Sequence, residues 1–255
     1  MKVTVLGSGT SQGVPVIACD CEVCNSLDYR DQRLRPSVHI EVEGLSLVID
    51  TGPDFRQQML RAGIKQVDAV LYTHQHKDHT AGMDDLRSFN FKQGTDIPIY
   101  GRKPVIEQLR QEFAYIFVDK SNKYPGVLSV EVHHIENCAF RIKGLEILPI
   151  DVFHLYLPVF GFRIGDFTYL TDVSRIPEME MHKIAGTRYL ILDALQKDPH
   201  ISHLTLQQAT AIAQQIGPEK AYFTHISHKM GKHAEVEKEL PPNIHLAFDG
   251  LQFEC

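Results

Sequence analysis

The sequence predicts a mixed α/β fold, and three observations carry that prediction. Short apolar runs bounded by Gly, Pro or charged turns fill the first half of the chain. Helical patterns then alternate with further strand-like runs. No internal repeat and no Pro/Gly/Ser linker divides the sequence, so 1–255 reads as one domain. In order, residues 2–6, 37–42, 45–49 and 67–72 are expected strands, and 53–62 is an expected helix. Helices are also expected at 103–117, 204–216 and 232–240, with strands at 146–153, 161–170, 189–192 and 220–223. The segment "DKSNKYPGV" at 119–127 is the best loop candidate. "LYLPVFGF" at 155–162 is too short to span a membrane and reads as core plus loop, with Leu155, Tyr156 and Leu157 bulky enough to wall a pocket.

Composition narrows the function classes. With 43% hydrophobic and 23% charged residues over 255 positions, the chain reads as an ordinary soluble globular protein. It has no apolar run of membrane-spanning length, and "MKVTVLGSGTSQG" lacks a signal peptide's apolar core, so the cytoplasm is the expected location. A net charge of -6 argues against a broad nucleic-acid footprint and favours a small substrate. Three of the five cysteines crowd into "CDCEVC" as Cys19, Cys21 and Cys24, a poor disulfide framework but a good metal knuckle in a reducing compartment.

The strongest chemical signal lies where "VDAVLYT" runs into His74-Gln75-His76-Lys77-Asp78-His79. In extended backbone alternate side chains share a face, so His74 and His76 can approach one ion together. Asp78 and His79 fall at the turn into "TAGMDDL" and can address a second. Three imidazoles and a carboxylate suit borderline divalent metals such as zinc or manganese. A core strand alone gives no reason to place four costly polar groups at one end.

"THQHKDH" resembles the His-x-His-x-Asp-His motif of the metallo-β-lactamase-fold hydrolases. That resemblance implies an αββα sandwich of two mixed β-sheets flanked by helices. Asp50-Thr51-Gly52 resembles the family's early Asp-x-Gly, Asp172 in "YLTDV" its bridging aspartate, and His225 in "YFTHISH" its late histidine. For the remaining ligand, His133, His134 and His154 are available; His154, between "LEILPIDVF" and "GFRI", follows the family's order. The resemblance implies one site from His74, His76 and His154, a second from Asp78, His79 and His225, and Asp172 bridging them around a shared water-derived hydroxide. Asp50 and Asp193 are candidates to orient metal-bound histidines.

A narrower group shares the cysteine knuckle. "GSGTSQGVP", "CDCEVC" and "THISH" together resemble the phosphoribosyl 1,2-cyclic phosphate phosphodiesterases of carbon–phosphorus lyase phosphonate breakdown. The resemblance implies a structural zinc held by Cys19, Cys21, Cys24 and His228, and a homodimer. On chemistry alone Cys138 and Cys255 are rival fourth ligands. It also implies a substrate-contacting or proton-donating histidine after Asp193, for which His203 stands closer to the helix start than His200. Asp78 and His203 are therefore the expected catalytic residues.

"GSGTSQG" is not a dinucleotide fingerprint, because its spacing is wrong and Pro15 occupies the place where the pyrophosphate-binding helix would start. Two rival functions remain. A ribonuclease Z-like enzyme would share the metal core but need an RNA-holding arm, for which no long Gly/Pro-rich segment is seen. A cofactor-biosynthesis carrier on the same fold would not need the full set of seven catalytic-site ligands.

Overall fold

The computed structural model describes residues 1–255, except for the side chain at 120. Its strands are β1 (Lys2–Gly7), β2 (Ser37–Val42), β3 (Leu45–Ile49), β4 (Ala69–Leu71), β5 (Ile97–Gly101), β6 (Val130–His134), β7 (Phe140–Ile142), β8 (Leu145–His154), β9 (Leu157–Ile164), β10 (Phe167–Leu170), β11 (Tyr189–Asp193), β12 (Lys220–Thr224), β13 (Ile244–Leu246) and β14 (Gln252–Glu254). The α-helices are α1 (Phe55–Ala62), α2 (Lys77–Thr80), α3 (Arg87–Gln93), α4 (Lys103–Glu112), α5 (Met181–Ile184), α6 (Leu206–Ile216) and α7 (His233–Val236).

The strands form two seven-stranded sheets, β14-β1-β2-β3-β4-β5-β6 and β13-β12-β11-β10-β9-β8-β7. In the first, β14, β1, β2 and β3 pair antiparallel and β3 to β6 pair parallel. The second repeats this: β7 to β10 pair antiparallel and β10 to β13 parallel. No repeat is visible in the sequence, yet the topology has one.

Strand periodicity explains the layering, since alternate residues point to opposite faces. Val3, Val5, Leu47 and Ile49 meet Phe160, Phe162 and Tyr169 between the sheets. Their neighbours Leu6 and Val48 face outward onto Phe55, Met59, Ile106 and Leu109 of α1 and α4. Val159, Leu170 and Leu192 likewise pack outward onto Ala209 and Ala213 of α6. The result is the expected helix–sheet–sheet–helix sandwich. No helix among the described residues is long and apolar enough to cross a membrane.

Several element boundaries differ from expectation. The run at 161–170 is a hairpin, broken at Gly165 (φ 54°), which joins β9 to β10. The helix expected to reach residue 117 ends at Glu112 and continues as a short 3-10 turn, as does the one expected at 232–240. α6 begins with a capping box in which the Thr205 hydroxyl and the Gln208 side chain satisfy each other's backbone N–H groups.

One buried histidine makes the fold acid-sensitive. The Nε2–H of His39 in β2 donates to Ser46 Oγ at 2.7 Å, that hydroxyl donates to the Gln66 carbonyl, and burial pushes the imidazole pKa down to about 4. The folded value lies below the unfolded one, so its stability is fully present above about pH 6.5 and is lost as pH falls toward 4. At pH 5 the loss reaches about 2 kcal/mol. Urea unfolding at pH 7 and pH 5 is expected to show a smaller acid loss for His39→Gln than for the wild type; equal losses would rule this out.

Candidate metal centre

Strand ends supply the site. β3 stops at Ile49, and Asp50 turns the chain sharply at φ 64°. Its carboxylate accepts from Thr73 N (2.9 Å), Thr73 Oγ1 (2.8 Å) and His79 Nδ1–H (2.7 Å). This fixes the His79 ring and aims its Nε2 at Asp172 Oδ2 (3.0 Å) and Asp78 Oδ2 (3.2 Å). A side chain at Gly52 would collide with the Asp78 carbonyl, so "DTG" needs its glycine to let the two loops meet. Thr73 escaped the sequence reading; its place between the strand and His74 was the available signal.

The second sheet answers from its own strand ends. Asp172 follows β10 at φ 55° and His225 follows β12 at φ 61°. Asp172 Oδ1 lies 3.9 Å from both His74 Nε2 and His154 Nδ1, and its Oδ2 lies 3.3 Å from His225 Nδ1. Ligand-type atoms converge in three groups: Asp78, His79, Asp172 and His225; His74, His76 and Asp172; and His154, Asp172 and His203. Asp172 belongs to all three. His76 is exposed, and its ring lies 5.2 Å from that of His154. His133 and His134 lie on β6 outside these groups, with the His133 ring stacked on Tyr100 at 4.4 Å.

The electrostatics follow from burial and crowding. Burial opposes charge on His79, but Asp78, Asp172 and Asp50 outweigh it and hold its pKa well above the ordinary histidine value. Burial also opposes ionisation of Asp172, yet His225, His79 and His74 hold it well below the usual carboxylate range. Burial keeps His74 well below its ordinary value and lowers His154 and His225 as well. His74 Nε2 and His154 Nδ1 are buried without a hydrogen-bond partner, as nitrogens meant for a cation would be. The donor set therefore fits two divalent ions.

At the rim, Asp193 ends β11 and its carboxylate accepts from His203 Nδ1–H (2.9 Å) and Leu204 N (3.1 Å). The His203 ring stands 4.7 Å from His225 and 4.5 Å from His154. His200 is exposed, its ring 5.3 Å from His203. Burial lowers the His203 pKa, but Asp193 outweighs it and the net shift is upward.

The cysteine knuckle is a separate cluster. Cys19, Cys21 and Cys24 Sγ lie 3.2, 3.4 and 3.6 Å from His228 Nδ1. Val16 N–H donates to Cys24 Sγ and Cys24 N–H to Cys21 Sγ, the latter bringing the Cys21 thiol down to about 6, while burial pushes Cys24 up to about 11. Cys138 is exposed, and neither it nor Cys255 joins the cluster. The Gly-rich loop braces the same region: Thr10 N donates to the Ile226 carbonyl (3.0 Å) and Ile226 N to the Ser8 carbonyl (2.9 Å).

Comparison with known proteins gives this geometry a context. A solved structure described as a new diphosphatase from the PhnP family is 43% identical and covers 100% of this chain and 97% of its own, with a TM-score of 0.93. An octanoyltransferase of Porphyromonas gingivalis is 38% identical over 99% of this chain; the chain spans about half the length of that relative (51%). A ribonuclease Z of Methanopyrus kandleri is 36% identical over 86% of this chain and 91% of its own length. Residues 46–226 match the beta-lactamase superfamily domain. That stretch contains the whole His/Asp array and stops short of His228, and by it the chain belongs to the metallo-beta-lactamase superfamily.

Proposed function

We propose that residues 1–255 form one metal-dependent phosphodiesterase domain that opens a small cyclic phosphodiester, such as a phosphoribosyl 1,2-cyclic phosphate, to a phosphomonoester. The observation that carries this reading is Asp172, the one carboxylate shared by every ligand group of the array. In it, His74, His76 and His154 hold one ion, Asp78, His79 and His225 hold the other, and Asp172 bridges. Zinc or manganese ions bound there would lower the pKa of a shared water and stabilise the attacking and leaving oxygens of an in-line displacement.

The chain's own residues do the rest. Asp50 keeps the His79 tautomer fixed by accepting its Nδ1–H. Asp193 does the same for His203, leaving Nε2 to carry a proton toward the leaving oxygen. Asp193 outweighs burial and shifts the His203 pKa upward, which favours the protonated ring. Cys19, Cys21, Cys24 and His228 form a closed zinc site, which holds structure and has no open position for water. Five free cysteines suit a reducing, cytoplasmic setting.

Metal-restored protein is expected to hydrolyse ribose cyclic phosphates and bis(p-nitrophenyl) phosphate but to leave a precursor transfer RNA uncut. Failure on every small diester would overturn the reading; cleavage of the RNA alone would move the chain to the ribonuclease Z activity of its Methanopyrus relative. His203→Ala is expected to lower kcat about 10²- to 10⁴-fold with metal content unchanged. An ion lost from that variant would make His203 a ligand instead.

A further inference from the structure

Ile226 stands in the sequence between His225 of the array and His228 of the cysteine cluster, and its backbone is gripped from outside. Its N–H donates to the Ser8 carbonyl (2.9 Å) and its own carbonyl accepts from Thr10 N (3.0 Å), while Ser227 N donates to the Leu195 carbonyl (2.9 Å). This matters because His225 takes φ 61°. Left-handed backbone at a residue other than glycine persists only where its surroundings over-determine it. The Ser8 loop is part of those surroundings.

That loop is itself fixed by one carboxylate. Asp249 Oδ1 accepts from Ser8 N (2.8 Å) and Ser8 Oγ (2.9 Å), and its Oδ2 accepts from Leu34 N (2.8 Å) and Arg61 Nη1 (3.2 Å). The Leu34 carbonyl in turn accepts from Gly9 N (2.8 Å), so Asp249 ties down both partners of that pairing. Arg33, 3% exposed, donates through Nη1 to Ser8 Oγ (2.9 Å) and to the Ala247 carbonyl (2.6 Å). Ala247 N donates to the carbonyl of Phe223 (2.8 Å), in the strand β12 that runs into His225. The Asp249 side chain is 3% exposed and belongs to none of the ligand groups. An ionised carboxylate is costly to bury, and here four donors compensate it by locking separate loops together.

We propose that Asp249 is a positioning residue for the ion assigned to His225. It acts through Ser8 and Ile226, holding the left-handed turn that brings His225 Nδ1 to 3.3 Å from Asp172 Oδ2. The proposal rests on the reading of His225 as a metal ligand and adds to it a residue outside every ligand group.

Zinc affinities of the full chain, measured by competition with a chromophoric chelator, test this. Asp249→Asn keeps the side chain's shape but turns an NH2 group toward donors, and is expected to weaken one ion of the pair about 10- to 100-fold. His225→Asn should weaken that same ion, and Asn tolerates the left-handed backbone there. In the His225→Asn background the Asp249 change should leave the remaining ions as tightly bound as before, because its route runs through the missing imidazole. Weakening of those remaining ions would reveal a general effect on the fold and overturn the proposal, as would an unchanged affinity in Asp249→Asn alone. If that variant does not fold, Ser8→Ala replaces it, losing the Oγ link while keeping Ser8 N on Asp249. A smaller loss at the same ion is then expected, and no loss overturns the proposal equally. A wild type that binds no ion pair would overturn the metal reading of the array together with the proposal.

Discussion

Asp172→Ala is expected to remove at least one of the two ions and to lower diester turnover by a factor of about 10³ or more. The reason is positional. Its two oxygens face His74 and His154 on one side and His79 and His225 on the other, so no other single residue serves both halves of the array. Removing it leaves several buried imidazoles with no shared counter-charge. Because Asp172 sits at φ 55°, Ala adds backbone strain, whereas Asn tolerates that conformation. Asp172→Asn should therefore stay folded and still lose metal. Metal content by mass spectrometry, beside turnover of bis(p-nitrophenyl) phosphate, checks the outcome; undiminished turnover would sink the assignment of the bridge.

The second large effect concerns stability. Cys21→Ser is expected to lose one zinc and about 4 kcal/mol, within the range reached when a structural metal is lost, or about 10 °C in Tm. Besides the thiols, the knuckle loop is held by buried Val23 and by the solvent-facing Glu22–Lys232 ion pair (3.0 Å). Its backbone bonds are short-range ones such as Cys19 N to the Val16 carbonyl and Ser26 N to the Val23 carbonyl, and it carries Ile17 and Leu27 at 94% and 98% exposure. The contact to His228 spans more than two hundred residues of sequence, so an ion held there would close a very long loop. The folded fraction should keep its dinuclear centre, since none of its proposed ligands is a cysteine. An unchanged Tm with unchanged metal content would show that the thiols serve another purpose.

Much of this was legible in the sequence because the chemistry sits at strand ends. His74, His76, Asp78 and His79 are local in the chain, and Asp172, Asp193 and His225 each close an apolar run. What escaped depends on distant pairing. β5 contains Pro98, which reads as a breaker, and is a strand because Tyr72 N donates to the Tyr100 carbonyl while β4 and β6 pair on either side. β14 is three residues long and exists through its partner Lys2–Thr4. Thr73 looks like an ordinary strand residue until Asp50 folds back onto it.

The repeated pairing order of the two sheets has a consequence for how such a molecule can change. Asp50 after β3 and Asp172 after β10 occupy corresponding corners, both left-handed, and both turn a carboxylate inward. One steadies an imidazole; the other lies at the heart of the array. Equal corners thus carry unequal jobs, and the difference between them is written in the connecting loops. The scaffold resembles one keyboard built twice, on which new chemistry arises by altering the connections while the corners stay where the strands put them.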